Sequence, residues 1–302
     1  MIAVITLMLI AASIHTPWLQ PSAHHQPHPA AAASRPTQPR PTAATQQAAV
    51  VQQPRPTSAA RHQFVTCVFE PAQRLGNAMF AFAAVIGIAA QNNMTAIIDR
   101  ATPLVSIFRI VEQTTDHLEN YLSTVDYHEY HSRACTYDNA TRQLLRAVNR
   151  THQQAPIIIR LCCYFQSWRY FDEFADRVRQ NFRFRQPIAA AAVAFLASVP
   201  KRQDATRVGV HVRRGDMTDG NHAIATPNYF RSAMRYFTER YRNVQFVVCS
   251  DDIAWCHRTL PALVDSTANV EMKFSEGRSG HVDLAILSRC DHVIISVGSF
   301  GW

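Results

Sequence analysis

The sequence has no run of lysines and arginines, no RNA-binding aromatic signature and no cysteine pair with C-x-x-C spacing. Its formal net charge is +8. Four arginines lie before residue 63 in a stretch without acidic residues, so the rest of the chain carries an excess of only +4. A modest excess without a basic patch argues against a nucleic-acid-binding protein and fits a site for a small anionic ligand.

Cysteine and histidine usage argues against a structural zinc site. The chain has seven cysteines, but none has the spacing of a zinc ligand pair. The histidines are scattered or lie near the amino terminus, where biased composition explains His24, His25 and His28 better than weak metal binding does. In an oxidising compartment the cysteines allow up to three disulfides and leave at least one thiol, and the sequence does not define their pairing.

A long segment near the amino terminus lacks the large aliphatic residues of a folded core. Residues 15–62 hold nine of the sixteen prolines and no acidic residue. Such a composition does not bury enough apolar surface to offset the entropy of ordering. We therefore predict a disordered, partly polyproline-like stem over residues 20–63.

The first fourteen residues form an uncharged apolar run, which reaches the length of a membrane span only if it continues to Leu19. It predicts a signal-anchor or a cleavable signal peptide over residues 1–19, although a basic flank is absent. Asn93, Asn139 and Asn149 are N-glycosylation acceptors by sequence. An apolar anchor, a Pro-rich stem and a lumenal domain in this order are the layout of many Golgi membrane proteins. By analogy we expect a single-pass type II Golgi membrane protein, with a secreted or lumenal protein as the alternative.

Strand and helix patterns alternate along the remaining chain. The patterns predict strands at 64–69, 95–99, 157–165, 207–212, 244–250, 269–274 and 292–297. They predict helices at 78–91, 166–184, 188–199, 228–241, 252–260 and 281–290, with weaker patterns between 100 and 155. Strands separated by helices indicate parallel, doubly wound sheets. We expect an α/β fold with two Rossmann-like domains, 64–200 and 201–302, and a cleft between them.

The stretch 210-VHVRRGDM-217 concentrates charge directly after a buried strand. Arg213 and Arg214 come after the carboxyl end of that strand, where open α/β sheets bind their ligands. Guanidinium groups are permanently charged and donate paired hydrogen bonds to phosphate oxygens, so the two arginines predict a diphosphate site. Asp216 is expected to fix one arginine. An ion pair that only holds the loop is the alternative for the isolated motif.

This stretch and several blocks around it resemble the galactoside alpha-1,2-fucosyltransferases of glycosyltransferase family 11. The resemblance spans residues 64 to 302, and its blocks occur in the family's order: 74-RLGNAMFAFA-83, 164-YFQSWRYF-171, the H-V-R-R-G-D stretch, 246-FVVCSDDIAWC-256 and 283-DLAILSRCDHVIISVGSFGW-302. Ala78 replaces the glutamine usual in the first block.

The resemblance implies a GT-B-like fold and transfer of L-fucose from GDP-β-L-fucose to a galactose 2-hydroxyl, with inversion and without a metal or other cofactor. It implies the partners GDP-fucose and a galactose-containing glycan. The third predicted partner, a membrane bound through the amino-terminal segment, follows from the apolar run of that segment. The resemblance also implies three sets of site residues: catalytic Arg213, His211 and Asp216; donor-binding Arg213, Arg214, Asp251, Asp252, Asp283 and Ser299; acceptor-binding Arg74, Asn77, Tyr164 and Trp168.

Several of these residues have a structural alternative. Asp251 and Asp252 also suit the amino-terminal end of a helix, and Asp283 suits a helix's first turn. Tyr164 and Trp168 also suit a buried core. Gly76 and Asn77 favour a left-handed turn.

The catalytic base stays open among Asp216, Asp219 and His211. The Asp251-Asp252 pair has no third acidic partner nearby, so a metal-binding acidic motif is not expected. Two other functions remain: a non-catalytic lumenal protein that binds the sugar or nucleotide, and a fucosyltransferase of another linkage. The resembling block continues into a helix in the family, whereas this sequence stops at Trp302. We therefore expect a fragment with an incomplete donor domain, and the alternative is a protein that has lost part of its donor site.

Overall fold

A computed structural model describes residues 63–67, 69, 74–124, 127–131, 136–139, 157–162, 164–218 and 223–301. The predicted leader, the predicted stem up to residue 62, the acceptor Asn149 and the candidate base Asp219 lie outside these residues. Gln63, predicted as the last residue of the stem, instead begins a strand because it pairs with a neighbouring strand of a sheet. Nine strands are described: β1 Gln63–Cys67, β2 Thr95–Asp99, β3 Gln113–Thr115, β4 Tyr127–His131, β5 Ile157–Cys162, β6 Thr206–Val212, β7 Val244–Ser250, β8 Val270–Phe274 and β9 His292–Ile294.

Eight α-helices lie in the same residues. They are α1 Leu75–Gln91, α2 Pro103–Ile107, α3 Leu118–Leu122, α4 Ala175–Asn181, α5 Gln186–Ser198, α6 Pro227–Thr238, α7 Ile253–Thr259 and α8 Gly280–Leu287. Short 3₁₀ turns occur at Trp168–Tyr170, Asp172–Phe174, Gly215–Met217 and Pro261–Leu263.

The strands form two parallel sheets. The first has the order β3-β2-β1-β5-β4 and the second the order β8-β7-β6-β9. All strands of a parallel sheet end at the same edge, so each sheet collects the residues after its strands on one side. Parallel strands alternating with helices confirm the predicted α/β class.

Helix α1 forms the centre of the core around the first sheet. It has 17 residues, is rich in alanine, carries no charge and is buried over most of its length. Its apolar residues pack on Val65 and Ile98 of the sheet and on Phe108 and Phe165. A helix that is apolar on all sides is stable only inside a core, which is where α1 lies.

The second sheet is buried on both faces near β6. The last five residues of β6 are buried, and β7 is buried except at Ser250. Helices α5 and α8 pack on this sheet through Phe195, Ala285 and Ile286. The apolar runs of β6 and β7, which predicted buried parallel strands, therefore have the expected environment.

Outside residues 100 to 184 the predicted elements agree with the structure to within about three residues at their ends, the strand predicted over 292–297 ending at Ile294. Between residues 100 and 184 the structure adds β3, β4, α2 and α3, which the sequence patterns did not define. Strand β4 is mostly exposed, so it lacks the apolar pattern that identifies a buried strand. The helix predicted over 166–184 is wrong over its first part, which forms two 3₁₀ turns before α4 begins.

The two sheets lie on either side of residue 200, but the boundaries 64–200 and 201–302 stay a prediction. In the part of the chain that the structure describes, no helix is both long and apolar enough to cross a bilayer.

Candidate functional site

Each sheet has one point where the strand order reverses. In the first sheet β1 lies between β2 and β5, and in the second β6 lies between β7 and β9. Ligands of open α/β sheets bind outside the carboxyl ends of the strands at such points. The residues directly after these strands are therefore the first candidates for a binding site, and they include most of those that the sequence singled out.

Arg213 comes directly after β6 and is held by two carboxylates. Its guanidinium forms ion pairs with Asp216 and with Asp251, which comes directly after β7. Its side chain is only 15% exposed. Asp251 also accepts a hydrogen bond from the backbone N–H of Arg214 at 2.8 Å. The RRGD loop is thus fastened to the end of the neighbouring strand, and Arg213 is fixed at the reversal point.

Gly215 is required by the close contact of this loop with β7. Its φ angle is +23°, and a Cβ atom there would lie 2.6 Å from Asp251 Oδ2 and 2.9 Å from an Arg213 guanidinium nitrogen. A side chain at this position would require both groups to shift and would be strained by the positive φ angle. The backbone conformation of the loop, together with its close contact with the ion pair, therefore favours glycine here.

Arg214 points to the other side, toward helix α7. Its Nε lies 3.1 Å from Asp252 Oδ2, and its guanidinium lies 4.2 Å from the centre of the Trp255 ring. Asp252 also caps α7 by accepting from the Trp255 N–H at 3.0 Å. Asp252 therefore both caps α7 and holds Arg214. One of its carboxylate oxygens accepts from the Trp255 N–H and the other pairs with the Arg214 guanidinium.

The turn after β9 packs against the β6 loop. The backbone N–H of Arg213 donates to Ser296 Oγ at 2.9 Å, and the ring of Phe300 lies 4.9 Å from that of His211. Gly298 has φ of +90°, which allows the chain to turn back over β6. The segment 298-GSFG-301 forms this turn.

His211 is buried beneath this turn. Burial lowers the pKa of its imidazole from 6.5 to about 4, so the ring is neutral at pH 7. Its Nδ1 lies 3.5 Å from Ser296 Oγ. A neutral, 5% exposed imidazole supports the turn and the backbone near Arg213.

Asp283 lies apart from the arginine cluster, in the first turn of α8. Its carboxylate accepts from Ser275 Oγ at 2.6 Å, and Ser275 comes directly after β8. Burial raises the pKa of Asp283 from 3.8 to about 6. Ser275 N–H also donates to the carbonyl of Val248 in β7, so Asp283 occupies the same edge of the sheet as the arginines.

The first sheet reaches the site through the start of α1. Arg74 forms an ion pair with Asp216, and Ser299 Oγ donates to Asn77 Oδ1. A Cβ atom on Gly76 would lie 2.6 Å from the backbone of Ser299 and Phe300. The beginning of α1 therefore packs directly against the turn after β9.

Gly76 and Asn77 do not form the predicted left-handed turn. Both residues belong to the first turn of α1, and neither has a positive φ angle. The turn prediction is wrong because α1 already begins at Leu75, so both residues have helical backbone conformation. Gly76 is needed because it leaves space for the backbone of the turn after β9, and not because of its own backbone conformation.

The residues after β5 lie next to Asn77. Gln166 Nε2 donates to Asn77 Oδ1 at 2.7 Å. Tyr164 and Trp168 flank this glutamine and are 44% and 42% exposed, so the alternative of buried core aromatics is wrong. Two exposed rings beside a fixed polar group make a surface on which a sugar ring can stack.

Sequence reasoning gave no role to three residues of the site. Gln166, Trp255 and Ser296 connect the predicted residues to one another. All three stand inside the blocks already quoted: Gln166 lies between Tyr164 and Trp168, Ser296 lies between Asp283 and Ser299, and Trp255 follows Asp252. Their contacts with the predicted residues depend on how separate segments pack, as Ser296 reaches Arg213 only because β9 pairs with β6.

The described cysteines and glycosylation acceptors add little to the site. Cys67, Cys249, Cys256 and Cys290 are buried thiols without a disulfide, and burial raises the pKa of each. Asn93 is exposed at φ of +56°, and Asn139 is exposed.

Solved structures share this arrangement of sheets. A FUT1 mutant of Arabidopsis thaliana in complex with GDP has a TM-score of 0.57 at 11% identity, over 80% of this chain and 67% of its own. POFUT1 in complex with GDP has a TM-score of 0.53 at 12% identity, over 81% and 94%. The fucosyltransferase NodZ from Bradyrhizobium has a TM-score of 0.50 at 16% identity, over 80% and 91%. These likenesses show an α/β, Rossmann-like fold of the GT-B-like class.

Sequence comparison defines the family. Residues 38–302 match Glycosyl transferase family 11, and the chain belongs to this family. Galactoside 2-alpha-L-fucosyltransferase SEC1 of Bos taurus is 29% identical over 76% of this chain and 60% of its own length. Galactoside alpha-(1,2)-fucosyltransferase 2 of Hylobates lar is 29% identical over 76% and 65%. The chain thus spans less than two thirds of these relatives.

Proposed function

We propose that this protein transfers L-fucose from GDP-β-L-fucose to the 2-hydroxyl of a galactose-containing glycan, with inversion and without a metal. The observation that carries the proposal is Arg213, mostly buried and fixed by two carboxylates at the point where the strand order reverses. The names of the curated relatives support the reaction. The structural neighbours that were solved with GDP support the donor.

Binding of the diphosphate requires an exchange of partners at Arg213. Without a donor, its charge is matched by Asp216 and Asp251. Asp251 also holds the loop through the Arg214 N–H, whereas Asp216 is 53% exposed and, among the residues that the structure describes, its carboxylate contacts only arginine side chains. We therefore assign Asp216 as the group that a diphosphate oxygen replaces on Arg213.

Arg213 then supports departure of GDP. A guanidinium placed at the diphosphate stabilises the negative charge that grows on the leaving group, and such fixed charge is usually the largest catalytic contribution. Arg214, fixed by Asp252 and Trp255, extends the cationic site. We assign the guanine edge to Asp283 and a phosphate contact to Ser299.

Asp216 is our choice for the base that takes the proton of the acceptor hydroxyl. His211 is neutral, but it is buried beneath Phe300 and does not reach an open surface. Asp216 is exposed and lies beside the donor arginine. When the diphosphate takes over Arg213, the Asp216 carboxylate is released from that ion pair and its oxygen is open to the proton of the acceptor hydroxyl.

The acceptor is assigned to the surface formed by Tyr164 and Trp168. Gln166 connects this segment to Asn77, and Asn77 connects it to Ser299 beside the donor turn. A galactose stacked on these rings would lie near Asp216, because Arg74 at the start of α1 pairs with that carboxylate. Arg74 and Asn77 thus act between donor and acceptor.

Localisation is inferred from the amino-terminal sequence. We propose a single-pass type II Golgi membrane protein attached through residues 1–19, whose apolar run supports an anchor. A secreted or lumenal protein is the alternative, and release of the protein by carbonate washing of membranes distinguishes the two.

The central test uses the full-length protein with Arg213→Ala and, as a matched control, Arg235→Ala on the exposed surface of α6. Calorimetry should show loss of GDP binding in the first variant and wild-type binding in the second. Transfer of fucose to a galactoside should be lost in parallel. Unchanged GDP binding by Arg213→Ala would remove this residue from the donor site.

The same experiment separates the competing functions. A protein that binds GDP but releases none from GDP-fucose with any galactoside is a binding protein. A fucosyltransferase of another linkage would yield a product that resists an alpha-1,2-specific fucosidase.

A further inference from the structure

Three side chains at the end of β4 and β5 bring metal-ligating atoms together outside the donor site. A carboxylate oxygen of Glu129, an imidazole nitrogen of His131 and the sulfur of Cys162 all lie within 4.8 Å of one another. The Glu129 Oε2 and His131 Nε2 atoms are 3.7 Å apart. Ligand atoms on one tetrahedral zinc ion are separated by about 3.5 Å, so small rotations of these side chains suffice.

The pairing of the two strands places these ligands. His131 pairs with Cys162 and Glu129 pairs with Arg160 in the parallel register. Side chains of paired residues share a face, and residues two apart on a strand share it too. All three ligands therefore project from one face of two hydrogen-bonded strands, which is a more rigid support than a loop.

Arg160 orients the carboxylate of the group. Its guanidinium lies 3.2 Å from Glu129 Oε1, and it also pairs with Glu119 at 2.9 Å. Glu129 therefore holds Arg160 with one oxygen and turns the other toward His131. Such outer contacts fix the ligands of metal sites. Two carboxylates around one guanidinium leave a net negative charge, which favours binding of a cation beside the oxygen of Glu129 that faces His131.

We propose that Glu129, His131 and Cys162 bind one zinc ion, with water as the fourth ligand. Thiolate, imidazole and carboxylate are the ligand types that zinc takes in proteins, and Glu129 and His131 are exposed enough to admit the ion and a water. Sequence spacing gave no sign of this group, because its members are contributed by two strands far apart in the chain.

The ion would join the edge strand β4 to β5. Strand β4 is the last strand of its sheet and is mostly exposed, so few apolar contacts hold it. Cys162 is two residues before Tyr164, where the chain leaves the sheet toward the proposed acceptor surface. The role is structural and separate from the transfer step, whose charged residues come after β6 and β7.

Cobalt(II) titration of the reduced full-length protein tests the site, because cobalt bound to a thiolate gives a charge-transfer absorption. The segment before Cys67 contains no cysteine, so its histidines do not produce this signal. We expect one equivalent of cobalt with thiolate absorption, displaced by one equivalent of zinc. Zinc should also raise the melting temperature and leave GDP affinity unchanged.

Variants assign the signal to these ligands. Cys162→Ser should abolish the charge-transfer absorption, and His131→Gln and Glu129→Gln, at exposed positions, should weaken zinc binding by about tenfold or more. His128→Gln, on the same strand but the opposite face, should bind zinc as the wild type does. Absence of thiolate absorption in the wild type, or its survival in folded Cys162→Ser or at full strength in both exposed variants, overturns the proposal.

Discussion

The carboxylate of Asp216 forms ion pairs with Arg213, which comes after β6, and with Arg74, which precedes α1. One side chain thereby connects the reversal points of the two sheets. Both Asp216 and Arg74 are more than half exposed, and exposed ion pairs contribute at most about 1 kcal/mol to stability. The contact is therefore better suited to exchanging partners when an anion arrives than to holding the fold together.

Asp216→Asn separates donor binding from chemistry. Removing the carboxylate frees Arg213 from one competitor, so GDP should bind about three- to fivefold more tightly, equivalent to about 1 kcal/mol. Transfer should fall by about a hundredfold or more, because the proposed base is lost. Calorimetry with GDP and a radiolabelled fucose transfer assay measure the two effects.

A double-mutant comparison provides the control for that result. In an Arg213→Ala background, Asp216→Asn should no longer change GDP affinity, because its effect acts through the arginine. Weaker GDP binding by Asp216→Asn alone would mean that Asp216 positions Arg213 instead of competing with the diphosphate.

Gly76→Ala tests the contact between α1 and the turn after β9. The added methyl would lie 2.6 Å from the backbone of Ser299 and Phe300, so the turn must move. We expect a loss of about 1–3 kcal/mol in the free energy of unfolding, together with weaker GDP binding. Chemical denaturation and calorimetry measure both quantities.

Gly280→Ala is the matched control, since its methyl would lie at an ordinary 3.6 Å from the ring of Phe300. It should leave GDP binding close to that of the wild type. If the two alanine variants had the same GDP affinity and the same free energy of unfolding, α1 would not position the turn after β9.

Trp168→Ala tests the assignment of the acceptor surface. The ring is 42% exposed, so its removal should have little effect on folding. Loss of stacking should raise the KM for a galactoside acceptor by about five- to tenfold, equivalent to about 1 kcal/mol. GDP affinity should not change. A wild-type KM for the acceptor would place the acceptor elsewhere.

His211 predicts a specific dependence of stability on pH. Its pKa is about 4 when folded and near 6.5 when unfolded, so the unfolded state binds more protons between these values. The histidine's contribution is present above pH 6.5 and is lost as pH falls to 4, by up to about 3 kcal/mol. His211→Gln should remove this difference.

Asp283 contributes with the opposite sign in part of the same range. Its folded pKa of about 6 lies above the ordinary value, so burial of its charged form lowers stability as pH rises from about 4 to 6. The effect of His211 is therefore measured as the difference in the free energy of unfolding between the wild type and His211→Gln at each pH. The exposed His128→Gln variant is the control. If the free energy of unfolding depended on pH in the same way in His211→Gln and in the wild type, this result would contradict a buried neutral imidazole.

The charged RRGD stretch after a buried strand was readable from the sequence, because the residues that come after parallel strands lie together at one edge of the sheet. The resemblance to the family implied that Asp251 and Asp252 belong to the donor site, and the structure brings both to the arginines. The alternation of apolar runs likewise predicted the α/β class. These features depend on local periodicity, which a single chain segment carries.

Other features depended on contacts between segments far apart in the chain. Arg74 with Asp216 and Asn77 with Ser299 are separated by more than a hundred residues, and the choice of partner depends on the packing of α1 and β9. Strand β4 was missed because an exposed edge strand has no apolar pattern.

The sequence by itself determined the family blocks, the parallel strands and the charges at their ends. Only the tertiary structure decided that Arg213 is paired with two carboxylates, that His211 is buried and neutral, and that Glu129, His131 and Cys162 meet. The physical reason is that charge pairing and desolvation are set by the distances and burial of side chains, and these depend on how separate strands are placed side by side.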